Sequence, residues 1–237
     1  MAARVLVYGA MELNLRKSEV VADPGIAVMV EAVKSGVVYA FVPAHGDSKV
    51  GAVHLNLGRT WAEDLGLSVL LADFDNSPAS FWQPMSDLRG LQSFAGGSLV
   101  RRQGSLEQLR PQSANLWDTV QWIERARRRY DVVAADLTHA SKELAREVML
   151  ASTSIFLVSD SYPASLHLAR EKAEWLHSEG LGDQCALLLE PVHGGLSPDV
   201  AEDVTGIPVC SLIGNTQQMK RLAAWLTIDC ELETIAN

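Results

Sequence analysis

A doubly wound α/β fold, built on a mainly parallel sheet with helices on both faces, is what this sequence predicts. Short runs of consecutive apolar residues recur along the chain, the pattern of strands buried on both faces. Between them lie stretches of helical length and period, and that alternation points to parallel strands joined by crossovers. No composition break or long Pro/Gly/Ser linker divides the 237 residues. They read as a single domain, 1–237, with residues 1–36 as an N-terminal extension of unclear pairing.

In chain order, Val5 to Tyr8 reads as a strand among one or two helices. Val37 to Val42 is an apolar strand that enters a short polar loop, and an amphipathic helix follows from near Gly51 to near Gly66. Further strands are expected at Ser68–Ala72, Val132–Asp136, Ser154–Val158, Ala186–Leu189 and Val209–Ile213. Helices are expected near 116–129, 141–151, 163–178, 197–205 and 216–227. From Asn76 to Asn115 the pattern is least regular. Phe81, Trp82, Phe94, Gly96-Gly97 and several arginines there predict a surface excursion with short helices, either a partner face or an ordinary connection with core anchors.

An apolar content of 48% with six tryptophans is enough for one substantial core. The net charge of −9 argues against DNA binding through the overall field. Basic residues cluster at Arg101-Arg102 and at Arg125, Arg127, Arg128 and Arg129; the latter read as a solvated helix face near the C-terminal end of its dipole. Cys185, Cys210 and Cys230 are too far apart for a zinc site or a disulfide framework and read as reduced core residues. The histidines form no metal-binding pair. Neither a basic-then-apolar leader nor a run of membrane-span length is present, so a soluble, cytoplasmic protein is expected.

The most informative stretch is Tyr39 to Gly58, YAFVPAHGDSKVGAVHLNLG. It resembles the strand, loop and helix of the ParA/MinD family of deviant Walker ATPases, approximately V-V-S-P-K-G-G-V-G-K-T-T-V-A-L-N-L-G. Aligned without a gap, Phe41-Val42 fall on the strand and Asn56-Leu57-Gly58 on the family's Asn-Leu-Gly. His45 then stands for the signature lysine, Gly46 is kept, Asp47 and Lys49 replace glycines, Val50 replaces the main lysine, and Gly51-Ala52 replace the threonines. Such a loop works by aiming backbone N–H groups and one lysine at phosphates while a hydroxyl holds Mg²⁺. On this register Gly46, Asp47, Ser48, Lys49, Val50 and Gly51 form a vestigial phosphate loop, closed by Asp47 or Ser48 as a helix cap. A one-residue shift puts Lys49 in the lysine position but breaks the Asn-Leu-Gly match.

The resemblance extends to about residue 226. Leu70 to Asp75 resembles the family's strand ending in D-x-D, which implies Asp75 near the attacking water and Asp73 beside the metal. Tyr130 to Asp136 resembles Y-D-x-V-I-I-D, which implies Asp136 in the Mg²⁺ shell. Leu137-Thr138-His139-Ala140 departs from the usual switch, and Glu190-Pro191 stands where an Asn-Arg pair near the adenine is common. Gly206 to Val209 and Leu212 to Asn215 resemble L-G-x-P-V and I-P-N-D. Aspartates at strand ends also serve as ordinary turn and cap residues.

What the resemblance implies is a noncatalytic or weakly nucleotide-binding localisation or assembly scaffold, homodimeric and with a protein partner, as in the TadZ/CpaE branch. Members of that branch often carry a receiver-like domain, for which 36 residues are too short. The alternative is an ATP-dependent dimerisation switch with slow hydrolysis, in which Lys49 reaches the phosphates and Asp136 holds Mg²⁺. A third reading, an unrelated enzyme using His45, Ser48 and Asp73, has no G-x-S-x-G turn to support it. Lys220, Arg221, Leu222, Trp225 and Leu226 have the spacing of a membrane-surface helix, but Asp229, Glu231 and Glu233 oppose anionic lipid and favour packing on the sheet.

Overall fold

The computed structural model describes residues 35–46, 48–74, 92–94, 98–110 and 116–235. The predicted strand at Val5 to Tyr8 lies outside them. The described elements are β1 (Val37–Pro43), α1 (Val50–Arg59), β2 (Val69–Asp73), β3 (Gln92–Phe94), β4 (Ser98–Gln103), β5 (Leu106–Arg110) and α2 (Leu116–Arg127). They continue with β6 (Val132–Asp136), α3 (Lys142–Leu150), β7 (Ser154–Asp160), α4 (Pro163–Ser178), β8 (Cys185–Glu190), α5 (Pro198–Thr205), β9 (Val209–Leu212) and α6 (Thr216–Ile235).

These strands form one nine-stranded sheet in the order β3-β4-β5-β2-β6-β1-β7-β8-β9. Seven strands from β5 to β9 are parallel, while β3 and β4 add an antiparallel edge. Thus the expected α/β doubly wound sheet is present, and β1 lies inside it between β6 and β7. The alternation of side chains along β1 separates two cores. Val38, Ala40 and Val42 join Ile123, Val148, Met149, Leu166 and Leu176 from α2, α3 and α4. Tyr39 and Phe41 join Leu57, Trp61, Phe156, Leu222 and Leu226 under α1 and α6.

The region from Asn76 to Asn115 departs from expectation, because its described parts are the strands β3, β4 and β5 rather than short helices. In β5, Leu106 and Leu109 are buried three residues apart, a helical spacing, while the intervening Glu107 and Gln108 are buried too. Tyr130 donates its hydroxyl to Glu107, which neutralises the usual objection to a carboxylate in a strand core. The helix expected from Gly51 to Gly66 is α-helical only to Arg59, and Thr60–Asp64 forms a π turn. Gly66 leaves that turn at φ 70°, a conformation that favours glycine. Gly58 lets α1 lie close on the sheet, since a Cβ there would stand 2.6 Å from Leu71 Cδ2.

Buried aromatic donors fasten α6 beneath. Tyr39 Oη donates to Leu226 O at 2.8 Å and Trp61 Nε1 to Ala223 O at 3.1 Å. Thr216–Ile235 runs past the expected end near 227. Among the described residues, no helix is long and apolar enough to cross a membrane.

Candidate functional site

The site expected from sequence lies at the C-terminal ends of the strands, where β1 turns into α1. Parallel α/β sheets present their crevice there, because the loops leaving the strand ends diverge. Within the loop, Ser48 N donates to His45 O and His45 N donates to Ser48 Oγ, both at 3.1 Å. Ser48 therefore turns its hydroxyl back onto the loop. Lys49 is the N-cap of α1 and makes no side-chain cap hydrogen bond. Asp47, the other candidate cap, lies outside the described residues, as does Asp75.

Gly46 is unobstructed, with nothing within 4 Å of a Cβ built on it. Val50 is fully buried in the core under α1 and α6, so its side chain faces the sheet and not the crevice. Gly51 and Ala52 complete a first turn with neither ammonium nor hydroxyl. Lys49 is turned across the crevice, its Nζ 2.6 Å from Glu190 Oε1 at the end of β8. His45 Nε2 lies 3.4 Å from Asp160 Oδ2 at the end of β7. Two of the sequence-predicted residues, Lys49 and Glu190, are thus brought together as an ion pair.

The carboxylates Asp73 and Asp136 are register partners on β2 and β6, both buried. Asp136 Oδ1 accepts from Thr138 N at 3.0 Å and from Thr138 Oγ1 at 2.5 Å, which ties it to the turn that follows β6. On the far side of Phe41, His54 donates Nε2–H to Ala134 O at 2.9 Å and packs edge-on to the Phe41 ring. Burial pushes the imidazole pKa below its ordinary 6.5, against the pull of the Asp136 charge and the Ala134 hydrogen bond.

A groove of about 520 Å³ opens beside the Lys49–Glu190 pair and runs between α1 and α6. Val53, Ile213 and Met219 give it an apolar wall, and Asn56, Arg59 and Asn215 give it polar edges. Lys220 Nζ bonds Asp64 Oδ2 at 3.0 Å at its other end. Sequence reasoning missed His54, Asp160 and this groove. Asp160 carried a readable signal, an aspartate closing an apolar strand; His54 carried none, since a lone histidine in a helix reads the same exposed or buried.

Among the described residues, those at the loop offer Mg-ATP few of the groups it needs. The first turn of α1 offers no lysine or hydroxyl to a phosphate, the loop's lysine is already paired, and half of the Asp136 carboxylate is used by Thr138. Arg125 and Arg127 bond within their own helix, to Gln121 O and Glu124, while Arg129 reaches the buried Glu107 on β5.

No protein-family model matches the chain, and no curated protein matches it. Solved structures do. A ParA family ATPase from Chlorobium tepidum aligns at TM-score 0.62 and 16% identity, over 82% of this chain and 92% of that one. MinD from Aquifex aeolicus, in the MinC:MinD cell division protein complex, aligns at 0.63 and 14% over 81% and 96%. A putative plasmid partition protein from Borrelia burgdorferi, bound to AMPPNP, aligns at 0.60 and 9% over 85% and 100%. At these identities the likeness concerns the fold: the chain has a ParA/MinD-like fold.

Proposed function

We propose that this chain is a degenerate ParA/MinD-like protein acting as a noncatalytic localisation or assembly scaffold. It keeps the fold as one domain while its phosphate loop no longer supports nucleotide turnover. The observation that carries this is Val50. The gapless register assigns it the place of the phosphate-binding lysine, and its side chain is buried in the core with no charge to offer. Phosphoryl transfer depends almost wholly on positioning and charge neutralisation, so loss of that ammonium and of the adjoining hydroxyl removes the main contributors together. A homodimer in the cytoplasm with a protein partner is the matching state. The protein partner is supported by the MinC:MinD neighbour, a complex of two different proteins; the homodimer is part of the same proposal.

Calorimetric titration with Mg-ATP, a phosphate-release assay and mass in solution with and without nucleotide test the proposal together. No turnover, and a mass unchanged by nucleotide, are expected. Saturable Mg-ATP binding with slow hydrolysis that disappears in Lys49→Ala and Asp136→Ala would instead establish the nucleotide switch.

A further inference from the structure

We propose that Glu190 is an internal anion that occupies Lys49 and thereby excludes a polyphosphate ligand from the head of the groove between α1 and α6. This rests on the reading of the fold given above and deepens it by naming what holds the site closed. Lys49 is the one cation that the sequence places between β1 and α1. Its Nζ lies 2.6 Å from a carboxylate oxygen 141 residues away. Both partners line the groove of about 520 Å³, so the pair stands at an open space large enough for a ligand rather than on a flat surface.

The surroundings strengthen the exclusion. Asp160 and Glu190 are register partners on β7 and β8, so two carboxylates stand side by side at the strand ends. Each reaches one loop residue: Asp160 Oδ2 faces His45 Nε2 at 3.4 Å, and Glu190 Oε1 faces Lys49 Nζ at 2.6 Å. An approaching phosphate meets the negative charge of both and finds the lysine already neutralised. The pair is nevertheless solvated, with Lys49 63% and Glu190 25% exposed, and exposed ion pairs are weakly held. Glu190 is therefore a removable occupant.

Glu190→Gln keeps the size and removes the charge. Binding of Mg-free tripolyphosphate and of Mg-ATP is measured by calorimetry on the full chain for the natural protein, Glu190→Gln, Lys49→Ala and the double variant. Removing one charge beside Lys49 is expected to tighten tripolyphosphate about tenfold. Lys49→Ala alone gains nothing, and the double variant returns to the natural level. Unchanged tripolyphosphate binding, a gain confined to Mg-ATP, or a gain that persists in the double variant would each overturn the proposal; a gain confined to Mg-ATP would place Glu190 on the base instead. Circular dichroism on each variant confirms folding. Failure here leaves the noncatalytic reading standing, since that reading falls on turnover, or on a nucleotide-dependent mass, of the natural protein.

Discussion

Replacing Gly58 by alanine tests how closely α1 must lie on the sheet. A Cβ at this position would stand 2.6 Å from Leu71 Cδ2, 2.9 Å from Cδ1 and 3.0 Å from Cγ. Leu71 is fully buried in the core under α1 and α6, so its branched end can move aside only by displacing packed neighbours. Relieving the contact requires a shift on the order of 1 Å of the helix or the leucine, an overpacking that costs about 1–3 kcal/mol. Against it stands the helix preference of alanine over glycine, about 1 kcal/mol. Destabilisation by about 1–2 kcal/mol is the expected net result, read as a lower urea midpoint at unchanged slope and a melting temperature lower by about 2–8 °C. The cause is isolated by a double-mutant cycle. Leu71→Ala alone should cost about 2–5 kcal/mol, and adding Gly58→Ala to it should cost nothing further or recover part of the loss, because the new methyl enters the space the leucine vacated. Gly58→Ala as stable as the natural protein, or strictly additive with Leu71→Ala, would refute the close-contact argument.

The remaining expectations concern burial and its chemistry. His54 has a folded-state pKa below its ordinary 6.5, so the unfolded chain takes up that proton first. Stability should therefore fall as pH drops through 6.5 towards the lowered value, and His54→Gln should flatten that slope in urea midpoints taken between pH 5 and 8; an unaltered slope counts against it. Tyr39→Phe removes the 2.8 Å hydrogen bond to Leu226 O and should cost about 0.5–1.5 kcal/mol, with faster amide exchange in α6 around residues 223–227. Exchange unchanged there would show that the hydroxyl does not hold the helix. Burial pushes the Cys185 thiol up to about 12, so it should resist a disulfide reagent at pH 8 until the protein unfolds, while the half-buried Cys210 should react sooner. Rapid labelling of Cys185 in the folded protein, located by peptide mass, would contradict its placement.

The parallel strands were legible because burial on both faces forces uninterrupted apolar runs such as Val132 to Ala135 and Cys185 to Leu189. Strand β5 was not, since Leu106-Glu107-Gln108-Leu109 carries a helical spacing and a carboxylate made tolerable only by Tyr130, far along the chain. At the site, Asp73 and Asp136 could be placed at strand ends because the apolar runs they close resemble the family's D-x-D and Y-D-x-V-I-I-D, and the structure makes them neighbours. The Lys49–Glu190 pair could not be foreseen, because no local pattern links residues on different strand ends. Nor could the π turn at Thr60–Asp64, where the residues are as compatible with an ordinary helix.

The position of β1 bears on how the chain comes to be folded. This strand is made before either of its sheet neighbours, β6 and β7, which follow roughly a hundred residues later, the kind of non-local pairing that slows folding. At roughly 5–20 residues per second, a ribosome leaves β1 without either neighbour for several seconds. During that interval Val37 to Val42, an apolar segment with no charge, is exposed together with its unpaired backbone groups. Synthesis of this protein therefore contains a window in which self-association competes with folding, and a chaperone that holds the β1 segment until β6 has been made would shift that competition towards the native sheet.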